Sequence, residues 1–197
     1  MRPQGTSSPR REELLDRAYR YALEHGLADL SLRPLAAAIG SSPRVLLFLF
    51  GSKDGLVREL LAKARSDELG YLAGEGAASG DGLDAMVAAT WRWLAADPVR
   101  PLLTLWTEAY GRSLVEPDGP WSGFATQSVA DWLDVLADAQ PSDHPADRTL
   151  ALAVLRGCLL DLLATGNTER VGAAIGRYLR LSGAETAGID TERGALP

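Results

Sequence analysis

The sequence predicts an all-α protein, and three observations carry that expectation. Isoleucine occurs only three times, and no run of alternating β-branched residues stands out. Apolar residues recur at helical spacing along most of the chain. Serine, proline and glycine fall where helices would start and stop.

The elements follow in order. The first helix is expected from about Arg10 to His25, with Leu14, Leu15, Ala18, Ala22 and Leu23 as its apolar stripe and Gly26 as its stop. Glu12 and Glu13 lie in its first turn, where the helix dipole favours them. Ser31 is placed to cap a short second helix, "LRPLAAAIG", in which Pro34 falls in the first turn and Gly40 ends the run. Ser42 caps a third, with Pro43 at the first helical position and Gly51 as its close. Ser52 caps a fourth, expected to run to about Leu72.

Residues 73–82, "AGEGAASGDG", read as a loop and a domain boundary. They do not match a dinucleotide-binding loop, because after Gly74 and Gly76 the third glycine falls at 80 rather than 79 and no strand precedes it. Beyond them, helices are expected at about 82–96, 99–115, 121–139, 146–165 and 168–181. The domain plan is therefore 1–52 as a helix-turn-helix domain, 53–72 as a connecting helix, 73–182 as a helical ligand-binding and dimerisation domain, and 183–197 as a disordered tail.

Composition narrows the function. No apolar run is longer than six residues, as in Val45 to Phe50, against the roughly 20 that span a bilayer, so a soluble, cytoplasmic protein with no membrane partner is expected. Cys158 is the only cysteine, and His25 and His144 are the only histidines. That leaves no cysteine-based zinc cage, no HExxH spacing and little material for a nucleophile–histidine site. No catalytic residue, metal or cofactor is assigned.

Net charge is −6, but it is unevenly spread. Residues 1–65 carry 11 Lys/Arg against 7 Asp/Glu, while residues 66–197 carry 9 against 19. A basic head on an acidic body suits a polyanion at the amino end.

Two short helices joined by "GSS" are the pattern of a helix-turn-helix, whose second helix would enter the major groove. The surrounding residues extend that pattern. "LLDRAYRYALEHG" is an amphipathic helix ending in glycine, followed by Ser31, Ala36, Ile39 and Gly40, then Leu46 and Phe50, then Ser52, Lys53, Asp54 and Leu56. In order and spacing the segment from Arg11 to Leu61 resembles the N-terminal domain of TetR-type transcriptional regulators. The resemblance places Leu46 and Phe50 in the core.

At about 100° per residue from Arg44, Leu46 falls near 200° and Phe50 near 240°. Phe48 then falls near 40°, opposite the core, with Arg44 and Val45 flanking it and Leu47 and Leu49 on the shoulders. The outward face of Arg44, Val45 and Phe48 suits a DNA edge, since arginine pairs with guanine and apolar groups meet thymine methyls. Ser42, Pro43 and the amides at that helix start, Lys53, and Ser31 with Arg33 are the expected phosphate contacts. Two departures stand out. Leu47 occupies a position where the family usually has a phosphate-binding tyrosine, and Phe48 one where a polar residue or histidine is common. The alternative is that Phe48 packs within the protein, leaving an all-helical small-molecule or protein-binding module with a head that no longer binds DNA well.

The resemblance further implies a palindromic double-stranded operator, a small-molecule effector of apolar or aromatic character, and a homodimer formed by the last two helices, acting most often as a repressor. All five tryptophans lie in the second part of the chain. Trp91, Trp106, Tyr110, Phe124 and Trp132 are the candidate effector contacts, with packing as the alternative for each. Trp91 and Trp93, two apart, are expected to face different ways, one of them away from the core. Asp161 interrupts the apolar "GCLLDLLATG" and is read as an effector group, an interface polar group or an exposed one. Arg92 and Glu108 suit solvated surface better than a pocket. The "LALAVLRGCLLDLLATG" stripe is a dimer seam or an internal core helix.

Overall fold

The computed structural model describes residues 8–27, 29–78, 82–139 and 144–193. Among them it contains helices and no strand. The helices are α1 (Pro9–His25), α2 (Leu32–Ala38), α3 (Pro43–Phe50), α4 (Lys53–Ala78), α5 (Leu83–Leu94), α6 (Arg100–Val115), α7 (Phe124–Ala139), α8 (Pro145–Thr165) and α9 (Thr168–Arg193), with a 3₁₀ turn at Asp97–Val99 before α6.

The chain forms two compact units. The first is Met1–Glu68 with Pro101–Ser128, and the second is Leu69–Arg100 with Val129–Pro197. In the first, α1 buries Leu14, Ala18, Tyr19 and Ala22, and leaves Leu15 and Leu23 half-buried. Leu35 and Ala36 of α2, Leu46 and Phe50 of α3, and Leu56, Val57, Leu60 and Leu61 of α4 are buried as well. In the second unit α5 packs against α8 and α9, which pack against each other.

Several boundaries differ from expectation. α4 does not stop at Leu72 but continues through Gly74 to Ala78. A terminating glycine adopts positive φ, as Gly26, Gly40, Gly51 and Gly166 do; Gly74 does not. A helical glycine costs only about 1 kcal/mol, which neighbouring alanines offset. α7 starts at Phe124 rather than near 121, after a turn in which Gly123 takes φ +76° and Trp121 is buried. α9 runs on to Arg193, through residues expected as tail, because no proline or positive-φ glycine stops it; residues 194–197 lie outside the described residues.

The tryptophan pair also differs. Trp91 and Trp93 are both buried. Trp93 stacks on Tyr71 of α4 at 4.9 Å, and Trp91 lies over Gly172 of α9. α5 is covered on several sides, so residues facing different ways can all be inside.

Candidate nucleic-acid interface

The interface is assembled from three helix starts. α2 and α3 meet at 102°, within the usual range of a helix-turn-helix. Their turn is fixed by a Schellman pair: Gly40 at φ +67° donates to the Ala37 carbonyl at 3.3 Å, and Ser41 to Ala36 at 2.8 Å. Arg17 of α1 donates to the Ile39 carbonyl at 3.2 Å and so ties the turn to the first helix.

α3 is set by its ends. Ser42 accepts from the Val45 amide at 3.3 Å, and Pro43 occupies the first turn. Ser52 caps α4 by accepting from the Gly55 amide at 2.9 Å. Gly55 itself passes so close to α3 that an added Cβ would lie 2.2 Å from the Phe50 carbonyl oxygen. The Arg11 guanidinium sits over the Phe50 ring at 5.1 Å and is held there by Glu59 at 2.5 Å.

Around the helix axis, Leu46 is 1 % exposed and Phe50 8 %, whereas Phe48 is 86 % exposed. Arg44, Val45 and Leu47 are exposed, and Leu49 is intermediate. The face expected to point outward does so. Phe48 does not pack within the protein.

Ser31 is the N-cap residue of α2 but makes no capping hydrogen bond, contrary to expectation. A cap accepts from the amide of the second or third helical residue, and here the third is Pro34, which has no N–H. The Ser31 hydroxyl therefore stays exposed. It lines an open concavity of about 610 Å³ together with Asp29, Arg33, Pro43 and Lys53. Four expected contact residues, Ser31, Arg33, Pro43 and Lys53, are thus brought to one hollow between the starts of α2, α3 and α4, with Asp29 as an acidic neighbour.

Several basic residues of the head are held by carboxylates. Arg10 and Arg17 pair with Glu13, Arg11 with Glu59, and Lys63 with Asp16. Among the described residues, Arg33, Arg44 and Lys53 form no ion pair or hydrogen bond through their side chains. These three lie at the helix starts in and beside α3; elsewhere in the head Arg58 is also without an ion pair among the described residues, and Arg20 donates to the Asp16 backbone carbonyl.

Of the effector candidates, three fall in each unit. In the first, Trp106 and Tyr110 stack at 5.0 Å, and Trp106 donates to the buried Ser128 hydroxyl at 3.1 Å. Phe124 lines a cavity of about 340 Å³ with Arg58, Leu61, Arg65 and Gln127. In the second, Trp91 and Trp132 are buried. Asp161 is bound by Arg170 through two contacts of 2.5 and 2.7 Å, which hold its carboxyl below the usual range and staple α8 to α9 at the surface.

Glu108 is a residue that sequence reasoning assigned to open surface. It instead accepts from the Leu27 amide at 3.0 Å and abuts Gly26, joining α6 to the turn after α1. A partner 81 positions away leaves no signal in local pattern.

α8 has both a buried side and an exposed apolar side. Ala151, Leu152, Leu155, Leu159 and Leu162 are buried, while Leu150, Ala153, Gly157, Leu160 and Ala164 are exposed. The exposed set repeats at alternating spacings of three and four, the pattern of a helix seam.

Comparison with known proteins agrees with this geometry. Residues 14–60 match the family model described as "Bacterial regulatory proteins, tetR family". No curated protein matches the chain. Among solved structures, the multidrug binding protein EbrR complexed with proflavin is 25 % identical, covering 87 % of this chain and 99 % of that one at a TM-score of 0.68. A Rhodococcus sp. protein assigned to the TetR-family transcriptional regulators is 20 % identical, covering 88 % and 98 % at 0.69. A TetR transcription regulator from Haloarcula marismortui is 18 % identical, covering 85 % and 93 % at 0.64.

Proposed function

We propose, from the premise that the chain is a TetR-type transcriptional regulator in its N-terminal domain and its fold, that it is a homodimeric, effector-responsive repressor of a palindromic operator. The observation that carries this is the exposed α3 face flanked by Arg33, Arg44 and Lys53, three cations that no carboxylate of the described residues neutralises. Such a surface gains little from water and much from phosphate, because each contact releases a counterion. Two copies related by a two-fold axis would set their α3 helices in successive major grooves, about 34 Å apart. The open α8 seam supports a second copy as the dimer partner.

An effector acts by binding one dimer geometry better than the other. Two features of the second unit favour a guest with a hydrogen-bond acceptor. The Thr90 hydroxyl and the Trp93 indole nitrogen, three residues apart on α5, are buried with no hydrogen-bond partner among the described residues. Leaving such groups unmet costs about 1–3 kcal/mol each. EbrR, a multidrug binding protein complexed with proflavin, suits the same expectation of an aromatic effector.

Selection of bound duplexes from a random pool, followed by salt titration, tests the reading. A true reader retains a sequence preference and loses affinity steeply with salt. Binding to no duplex, or binding indifferent to sequence, would reject it.

A further inference from the structure

We infer that α3 reads thymine methyl groups, with Phe48 as the principal contact and Val45 and Leu47 beside it. This rests on the reading of α3 as the groove-entering helix. Across Pro43–Phe50 the only side chain that can hydrogen-bond a base edge is Arg44. The family's usual polar and tyrosine positions here are Phe48 and Leu47. Donor and acceptor patterns are therefore legible to this helix only where Arg44 reaches.

The rest of its outward face is apolar. Phe48 is 86 % exposed, Leu47 42 % and Val45 38 %, with Phe48 opposite the buried side and Val45 and Leu47 to either side of it. The major-groove edges of A, G and C present hydrogen-bonding groups, and only thymine adds an apolar one, its 5-methyl. Seating a phenylalanine against an unpartnered donor or acceptor strips its water and returns nothing. Seating it against a methyl buries apolar area on both partners. Attraction to thymine and exclusion of the other bases thus have one origin.

A protein surface is the other occupant an apolar patch could take. Charge argues for DNA. Arg44 stands on the same face, and Arg33 and Lys53 line the hollow at the start of the same helix, none of them with a neutralising partner among the described residues. A second copy of the same face would bring the same three cations against them, whereas a phosphate backbone complements them.

The test uses the full chain and a duplex it selects from a random pool. Each thymine of the half-site is replaced in turn by uracil, which removes the methyl and nothing else. The expected result is a loss of about fourfold for each methyl in contact, from the transfer value of one buried methyl group. Phe48→Ala should bind the thymine duplex more weakly and treat thymine and uracil alike at its position. Its melting temperature and dimer mass should match those of the unaltered chain. Equal binding of every uracil duplex overturns the inference while leaving DNA binding intact. So does a thymine preference that survives in Phe48→Ala, or a change of assembly state in that variant. Failure to select any duplex would instead remove the underlying reading.

Discussion

Two helices of this chain, α3 and α8, carry apolar residues on sides that the protein leaves open, and they do so with opposite shapes. On α3 the open side is convex, with one large ring standing 86 % exposed among unpaired cations. On α8 it is lower, with Ala153 and Gly157 between Leu150 and Leu160 and Ala164 beyond them. A projecting aromatic beside positive charge suits a groove lined by phosphate. A shallow stripe of small residues at three–four spacing suits close approach of another helix. The difference teaches that exposed apolar area is informative only together with its relief and its electrostatic setting.

The largest expected effect breaks the comparison on the α8 side. A Cβ at Gly157 would meet nothing within 4 Å. Gly157→Arg should therefore fold, and even gain helix propensity within the protomer. Only a partner helix would object. We expect a monomer by sedimentation and an operator affinity lower by about 100-fold or more, since the second half-site is then lost. A variant that remains dimeric would show that this face is not the seam.

Next comes Gly55→Ala, which attacks the seating of α3. Its Cβ would fall 2.2 Å from the Phe50 carbonyl oxygen, and backbone cannot swing away as a side chain can. Overpacking of this kind costs about 1–3 kcal/mol. The head should melt earlier and bind DNA more weakly, while dimer mass stays unchanged. Thermal melting with sedimentation on one sample separates the two.

Arg44→Ala leaves both helices in place and removes the one side chain on α3 that can hydrogen-bond a base. Operator affinity should fall by about 1–3 kcal/mol, with preference relaxed at one base pair. Competition binding against single-position operator variants measures it. Unchanged selection would mean that the outward side of α3 is not the reading side.

The relief of the two helices was legible in sequence to different degrees. On α3 the family anchors Leu46 and Phe50 fix a direction, and about 100° per residue then sets every other side chain, Phe48 included. α8 offers no such anchor. Its apolar residues run nearly all round, so periodicity alone could not choose between seam and core, and the helix carries a buried side and an exposed apolar side together. The missing cap of Ser31 was misread, because the residue type suggested a cap while Pro34, at the third helical position, has no N–H to offer it. Glu108 was not legible, since the Leu27 amide is distant in sequence and neither neighbour hints at the other. The extra turns of α4 were missed because Gly74 resembles a stop; whether a glycine stops a helix depends on its φ, which sequence does not specify.

The smallest expected effect compares two phenylalanines two residues apart. Phe48→Tyr adds a hydroxyl to a ring that already stands in solvent, where substitutions usually change stability by less than about 0.5 kcal/mol. The melting temperature should therefore barely move. The same change at Phe50, 8 % exposed beneath the Arg11 guanidinium, would set a hydroxyl in a buried site and should lower it. In DNA binding the order reverses. The new hydroxyl on residue 48 meets the groove and can take a donor or acceptor there, so Phe48→Tyr should shift base preference at its position, whereas a folded Phe50 variant should keep the original preference at reduced stability. A melting temperature that drops by many degrees for Phe48→Tyr would mean that the ring is covered in the folded protein, and the contrast between the open sides of α3 and α8 would collapse into two buried faces.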